Sequence, residues 1–112
     1  MITYIELWKA KQPWIDLPQA EKVKFTTSLG PAIQQLIDNG VEIVSWGFNE
    51  ATAVNRISYD YFAVWSFPDT VAALNFQQMV VDVGWYDYFD QVNAMGTATS
   101  PQEVIGRMLE QE

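Results

Sequence analysis

The run Gly84-Trp85-Tyr86-Asp87-Tyr88-Phe89-Asp90-Gln91-Val92-Asn93 sets four aromatic rings and two carboxylates side by side within six residues. Trp85, Tyr88 and Phe89 are spaced i, i+3, i+4, which gathers them on one side of a helical turn with Asp87 roughly opposite. One reading makes Trp85, Tyr86 and Tyr88 the mouth of a ligand pocket, with Asp87 or Asn93 orienting a polar group of the ligand. The other puts Trp85 and Phe89 in the core and leaves the aspartates at a solvated corner. Aromatics at helical spacing usually pack, so the second reading is the default.

A second chemical feature is Glu6, flanked by Tyr4 and Trp8 on its own side of an apolar strand. A charged, unpaired carboxylate there costs several kcal/mol. Glu6 must therefore be hydrogen-bonded, lie at a wet edge, or hold its proton to higher pH and serve as a general acid or base. Asn93 and a tyrosine hydroxyl, Tyr61 foremost, are its expected partners. Trp8, Trp46 and Trp65 either line the same pocket or fill interfaces between layers. Asp60 is expected to pair with Arg56, four residues back, and Arg56 itself to be a solvated loop residue.

Other chemistries are excluded by residue type. The 112-residue chain has no His and no Cys. That removes thiolate nucleophiles, disulfides, Ser–His pairs and the usual zinc ligands. The six glycines are scattered and form no phosphate-cradling loop. Neither a cofactor nor a metal site is expected. A net charge of −8, with six Lys and Arg against fourteen Asp and Glu, disfavours nucleic acid and anionic membranes as partners. The N-terminus lacks the basic and long apolar stretches of a signal peptide, and a cytoplasmic location is expected.

The elements that must position these residues can be read from periodicity. Residues 2–9 alternate with apolar groups on both faces, as in a central strand covered on two sides. A helix is expected to start at Asp16-Leu17-Pro18-Gln19, with a kink or break at Gly30-Pro31 and an end at Asn39-Gly40. Strands follow over 41–48 and 59–67, joined by a polar loop. A helix begins near Thr70 and ends at Gly84, and a fourth strand is expected over 91–98. Ser100-Pro101-Gln102-Glu103 is a capping box for a last helix that buries Val104, Ile105, Met108 and Leu109. The order strand–helix–strand–strand–helix–strand is the split βαβ pattern. It predicts one α+β, ferredoxin-like domain over 1–112, with antiparallel strands in the order 4-1-3-2 and an extra C-terminal helix. Helices cover one sheet face. The other face is also apolar, and a second copy of the chain is the expected cover. Replacing Trp8 or Trp65 is expected to disturb that interface if either points toward it.

Glu6-Leu7-Trp8-Lys9-Ala10, Gly30-Pro31-Ala32, Trp46-Gly47, the strand Tyr59 to Trp65 and the run Gly84 to Asn93 resemble an uncharacterised bacterial family of the dimeric α/β-barrel superfamily. That superfamily also holds cofactor-free monooxygenases, haem-degrading enzymes, muconolactone-isomerase-like proteins and stress-response barrel proteins. The resemblance implies a homodimer and a pocket between sheet and helices, and no particular reaction. Two function classes follow. In one, the aromatic pocket binds or transforms a small hydrophobic or aromatic molecule. In the other, the protein is a non-catalytic dimeric interaction or stress-associated module whose aromatics are core and interface.

Overall fold

The computed structural model describes residues 1–112. Strand β1 (Ile2–Ala10) leads through a short helix α1 (Gln12–Ile15) into the long helix α2 (Gln19–Asp38). Strands β2 (Glu42–Phe48) and β3 (Tyr61–Phe67) follow, then helices α3 (Thr70–Asp82) and α4 (Trp85–Tyr88), strand β4 (Phe89–Thr97) and helix α5 (Pro101–Glu110). The four strands form one antiparallel sheet in the order β2-β3-β1-β4, which is the expected order 4-1-3-2.

Alternation along β1 decides the two faces. Tyr4, Glu6 and Trp8 point to one side and are buried, whereas Ile5 on the other side is exposed. On β3 the buried set is Ala63, Trp65 and Phe67. Helices α2 and α3 lie over this side. Ala73, Phe76 and Val80 of α3 are buried against it, with Phe25, Ile33 and Leu36 of α2 packed around the cluster. Phe76 meets Tyr4, Trp65 and Phe67 at ring-centroid distances of 5.5, 5.1 and 5.2 Å. The opposite face carries Ile5, Leu7, Phe62, Val64, Val92 and Ala94, brought together by the registers Ile5↔Val64, Leu7↔Phe62, Ile5↔Ala94 and Leu7↔Val92. Nothing in the protomer covers it. Trp8 and Trp65 both point to the helix side, so neither belongs to a surface that a second copy would meet there.

Several boundaries differ from the sequence reading. Helix α2 runs unbroken through Pro31. Pro31 has no N–H for the carbonyl of Thr27, but both residues lie on the exposed side, where solvent can satisfy that carbonyl and the helix continues. Asp16 ends α1 instead of starting α2, and its carboxylate accepts a 2.8 Å bond from Gln12. Strand β4 begins at Phe89, directly after α4, because Phe89 is extended and hydrogen-bonded opposite Ala10. Strand β3 begins at Tyr61, not Tyr59. Helix α5 is capped by Ser100 as expected, yet Val104, Ile105, Met108 and Leu109 are all more than half exposed. The apolar stripe is present, but the protomer offers it no surface.

The loop between β2 and β3 is pinned by Arg56 and by Asn49, whose amide donates to the carbonyls of Ile57 and Tyr59 at 3.1 and 2.8 Å. The Arg56 guanidinium donates to the carbonyls of Glu50, Ile57, Asn49 and Tyr59 at 2.9–3.2 Å and lies 3.7 Å from the Asp60 carboxylate. Arg56 is therefore a structural clamp rather than a freely solvated group.

Phe76 joins α3 to three aromatic residues of the sheet. Truncation to Ala should cost about 3–5 kcal/mol, measured as a lowered urea midpoint at unchanged slope.

Candidate functional site

The register of β1 against its two neighbours assembles the site. Glu6 stands opposite Ala63 on β3 and Asn93 on β4, and Trp8 stands opposite Gln91. Gln91, Asn93 and the indole of Trp65 thus share the helix-side face with Glu6. The small Ala63 leaves room beside the carboxylate, and the indole of Trp65, two residues further along β3, reaches across. Its Nε1 donates to Glu6 Oε1 at 2.6 Å. The Gln91 amide donates to Glu6 Oε2 at 2.7 Å and to Asn93 Oδ1 at 2.8 Å. Gln91 Oε1 accepts from Trp85 Nε1 at 2.8 Å, and the Asn93 amide donates to the Tyr86 hydroxyl at 3.1 Å. Five side chains outside β1 are thereby linked to one buried carboxylate, and no buried polar side-chain atom lacks a partner.

Glu6 is 5 % exposed. Burial pushes its carboxyl above the ordinary glutamate range, and the indole and amide donors pull it back only in part. Burial also raises the Tyr4 hydroxyl, with further contributions from the negative charge of Glu6 and from Tyr86. Tyr4 is a neutral phenol throughout the physiological range.

A cavity of about 70 Å³ opens beside Glu6, between the sheet and helices α2 and α3. Trp8, Trp46 and Trp85, with Phe76 of α3, form its aromatic wall. Leu29, Ala32 and Ile33 come from α2, and Met79, Val80 and Val83 from α3 and its end. Glu6 and Ser28 are its polar lining. An outer groove of about 380 Å³, lined by Trp8, Trp46, Gly47, Phe48 and Tyr61, adjoins it across Trp8 and Trp46. Phe62 lies so near Gly47 that a Cβ there would come within 2.7 Å of its ring. A larger hollow of about 720 Å³ lies between the end of β4 and the projecting α5. It is a crevice beside an unsupported helix and holds none of the aromatic residues.

The residues singled out by sequence are distributed unevenly over this site. Trp8, Trp46 and Trp85 meet around Glu6, and Tyr61 is in the outer groove. Trp65 is fully buried beneath the carboxylate and holds it without lining the cavity. Tyr86 and Asn93 end the hydrogen-bond chain on the β4 side. Tyr88 lies apart, packed on Phe25 at 5.1 Å and Trp14 at 5.6 Å. Neither Tyr61 nor Asn93 bonds Glu6 directly, because Gln91 occupies the place expected for Asn93. Gln91 was missed by sequence reasoning. The alternation that pairs Asn93 with Gln91 on one face of β4 is the signal for it, once the strand is known to begin at Phe89.

A family model for a family of unknown function (DUF6616) matches residues 1–111. The chain belongs to that family. No curated protein matches its sequence. Among solved structures, the family member is similar to At3g17210 from Arabidopsis thaliana, at TM-score 0.61 and 12 % identity over 89 % of this chain and 97 % of that one. It is also similar to a dimeric ferredoxin-like protein of unknown function from Thermobifida fusca, at 0.55 and 13 % over 87 % and 90 %. A mutant chlorite dismutase from Candidatus Nitrospira defluvii gives 0.67 and 12 %, over 94 % of this chain but only 43 % of that one. At such identities the likeness concerns the fold, and it places this DUF6616 chain among ferredoxin-like α+β proteins. No helix of the chain is long and apolar enough to cross a membrane.

The buried carboxyl makes a pH-dependent contribution of definite sign. Folded Glu6 keeps its proton to higher pH than unfolded glutamate, whose value is about 4.3. Its cost is absent below that value and grows as pH rises toward the folded one. In Glu6→Gln that growing cost disappears, while one donor loses its acceptor for a pH-independent loss of about 1 kcal/mol. Denaturation midpoints should therefore shift increasingly in favour of the variant, relative to wild type, as pH rises from the unfolded value of about 4.3 toward the higher folded one. A flat difference over that range would refute the burial effect.

Proposed function

We propose that the protein is a homodimer that takes up a small hydrophobic, aromatic-bearing molecule, its polar end in the cavity between sheet and helices and its ring in the adjoining outer groove, with Glu6 as the polar anchor. The observation that carries this reading is one buried carboxylate facing an apolar cavity walled by three tryptophans. Apolar walls with few convergent polar groups are the usual make-up of a ligand site. A carboxyl held by neutral donors and lifted above its ordinary range also has the makings of a general acid or base. Glu6 is the one group in the cavity suited to move a proton.

Dimerisation rests on two separate surfaces. The sheet face bearing Ile5, Leu7, Phe62 and Val64 has no cover, and the apolar flank of α5 has no support. A protein this short gains stability from burying such patches in a second copy. The Thermobifida fusca relative of the same fold is described as dimeric.

Light scattering at micromolar concentration should give twice the protomer mass, and Ile5→Glu, which places a charge on the bare face, should give monomer. A monomeric wild type would refute the assembly. For the pocket, calorimetric titration with 2-naphthalenemethanol should show binding that Ala32→Leu, which fills the cavity from α2, weakens about tenfold or more. Equal binding by both proteins would mean the compound goes elsewhere.

A further inference from the structure

The pocket reading leaves open what kind of molecule enters, and the following inference rests on that reading. Glu6 is a buried carboxylate with no counter-charge. Each of its oxygens accepts from one neutral donor, and no lysine or arginine lines the cavity. The one ion pair of the chain joins Arg56 to Asp60 in the loop between β2 and β3. Other cations are engaged at the surface: Lys11 donates to the carbonyl of Tyr86, Lys22 to that of Ile15, and Lys9 lies over the ring of Tyr59. A carboxylate taken out of water without an opposite charge is costly, and two neutral hydrogen bonds offset that cost only in part.

The cavity beside this carboxylate is lined by three indoles. Trp8 meets Trp46 at 5.4 Å and Trp85 at 5.8 Å, both edge-on at 71°. Trp85 is held in place by its bond to Gln91 and by stacking on Phe89 at 4.2 Å. Indole faces attract cations more strongly than any other side-chain ring. An anion would meet Glu6 and find no cationic partner. A hydroxyl would occupy a free lone pair of Glu6 and leave the charge uncompensated. A protonated amine supplies both the donor and the charge.

We propose that the inner cavity is an aromatic cage for the protonated amine of an organic cation, with Glu6 as its counter-ion, Trp8, Trp46 and Trp85 as its walls, and the ligand's apolar body in the outer groove against Phe48 and Tyr61. The two volumes fit this division: about 70 Å³ admits a small polar head, and the adjoining 380 Å³ admits a ring system.

The test compares 2-naphthylmethylamine with 2-naphthalenemethanol, which share a ring and a chain length and differ in charge at neutral pH. Calorimetry on wild type should give about tenfold or tighter binding for the amine. The gap should close in Glu6→Gln. Trp46→Leu, at a half-exposed wall position, should weaken the amine about three- to tenfold and the alcohol less. Ala32→Leu should weaken both compounds, which separates the cavity from general attraction of amines to an acidic surface. Equal affinities with both compounds blocked by Ala32→Leu would overturn the cage and leave the pocket standing. Amine binding indifferent to Ala32→Leu would overturn the cage as well, and binding of neither compound would overturn both. If Glu6→Gln does not fold, the two compounds on wild type and Trp46→Leu decide the matter alone.

Discussion

The pair of hydrogen bonds that Trp65 and Gln91 donate to Glu6 organises the helix side of the sheet. An ionisable group at the centre of an apolar layer is tolerated only when its acceptors are filled. Filling them ties β3 and β4 to β1 through side chains as well as through the backbone ladder. Gln91 extends the tie to α4 through Trp85. Because side chains alternate, a one-residue slip of β4 would turn Gln91 to the wrong face, leaving Glu6 with the Trp65 donor alone and the Trp85 indole N–H without its acceptor. The register is thus specified by polar satisfaction in addition to apolar pattern. That matters here, since apolar residues occur on both faces of β1.

Much of the architecture was legible in the chain. Strand order followed from the sequence of elements, and the Asn39-Gly40 end of α2 followed from local chemistry, with Gly40 at positive φ. Facing was not legible. Ile5 and Leu7 are as apolar as Tyr4 and Trp8, so periodicity says that β1 has two greasy sides and not which side the helices take. The same ambiguity made Trp8 and Trp65 look like interface residues. Pro31 looked like a break because sequence does not reveal that the Thr27 carbonyl it leaves unpaired lies on the exposed side. The stripe on α5 was read correctly, but its burial was inferred from amphipathicity alone, which reports a need for cover and not its source.

The candidate site was partly legible for related reasons. Glu6 stood out because a carboxylate between Tyr4 and Trp8 is a local conflict, and such conflicts tend to mark functional positions. Its partners did not stand out, since Trp65 and Gln91 lie 59 and 85 positions away and only the register joins them. The fold itself, shared with proteins at 12–13 % identity, supplies the space between sheet and helices. What belongs to this chain is the content of that space: indoles, one acid and no base.

The clamp at Arg56 has a consequence for the outer groove. It fastens the chain that leaves Phe48 and returns at Tyr61, two residues of the groove's rim, while the inner cavity is framed by packed hydrocarbon. One part of the opening is therefore secured by one cation, one amide and the carbonyls they share, and the other by exclusion of water. Loosening the entrance therefore costs polar contacts that water can replace, whereas opening the interior exposes hydrocarbon that it cannot satisfy.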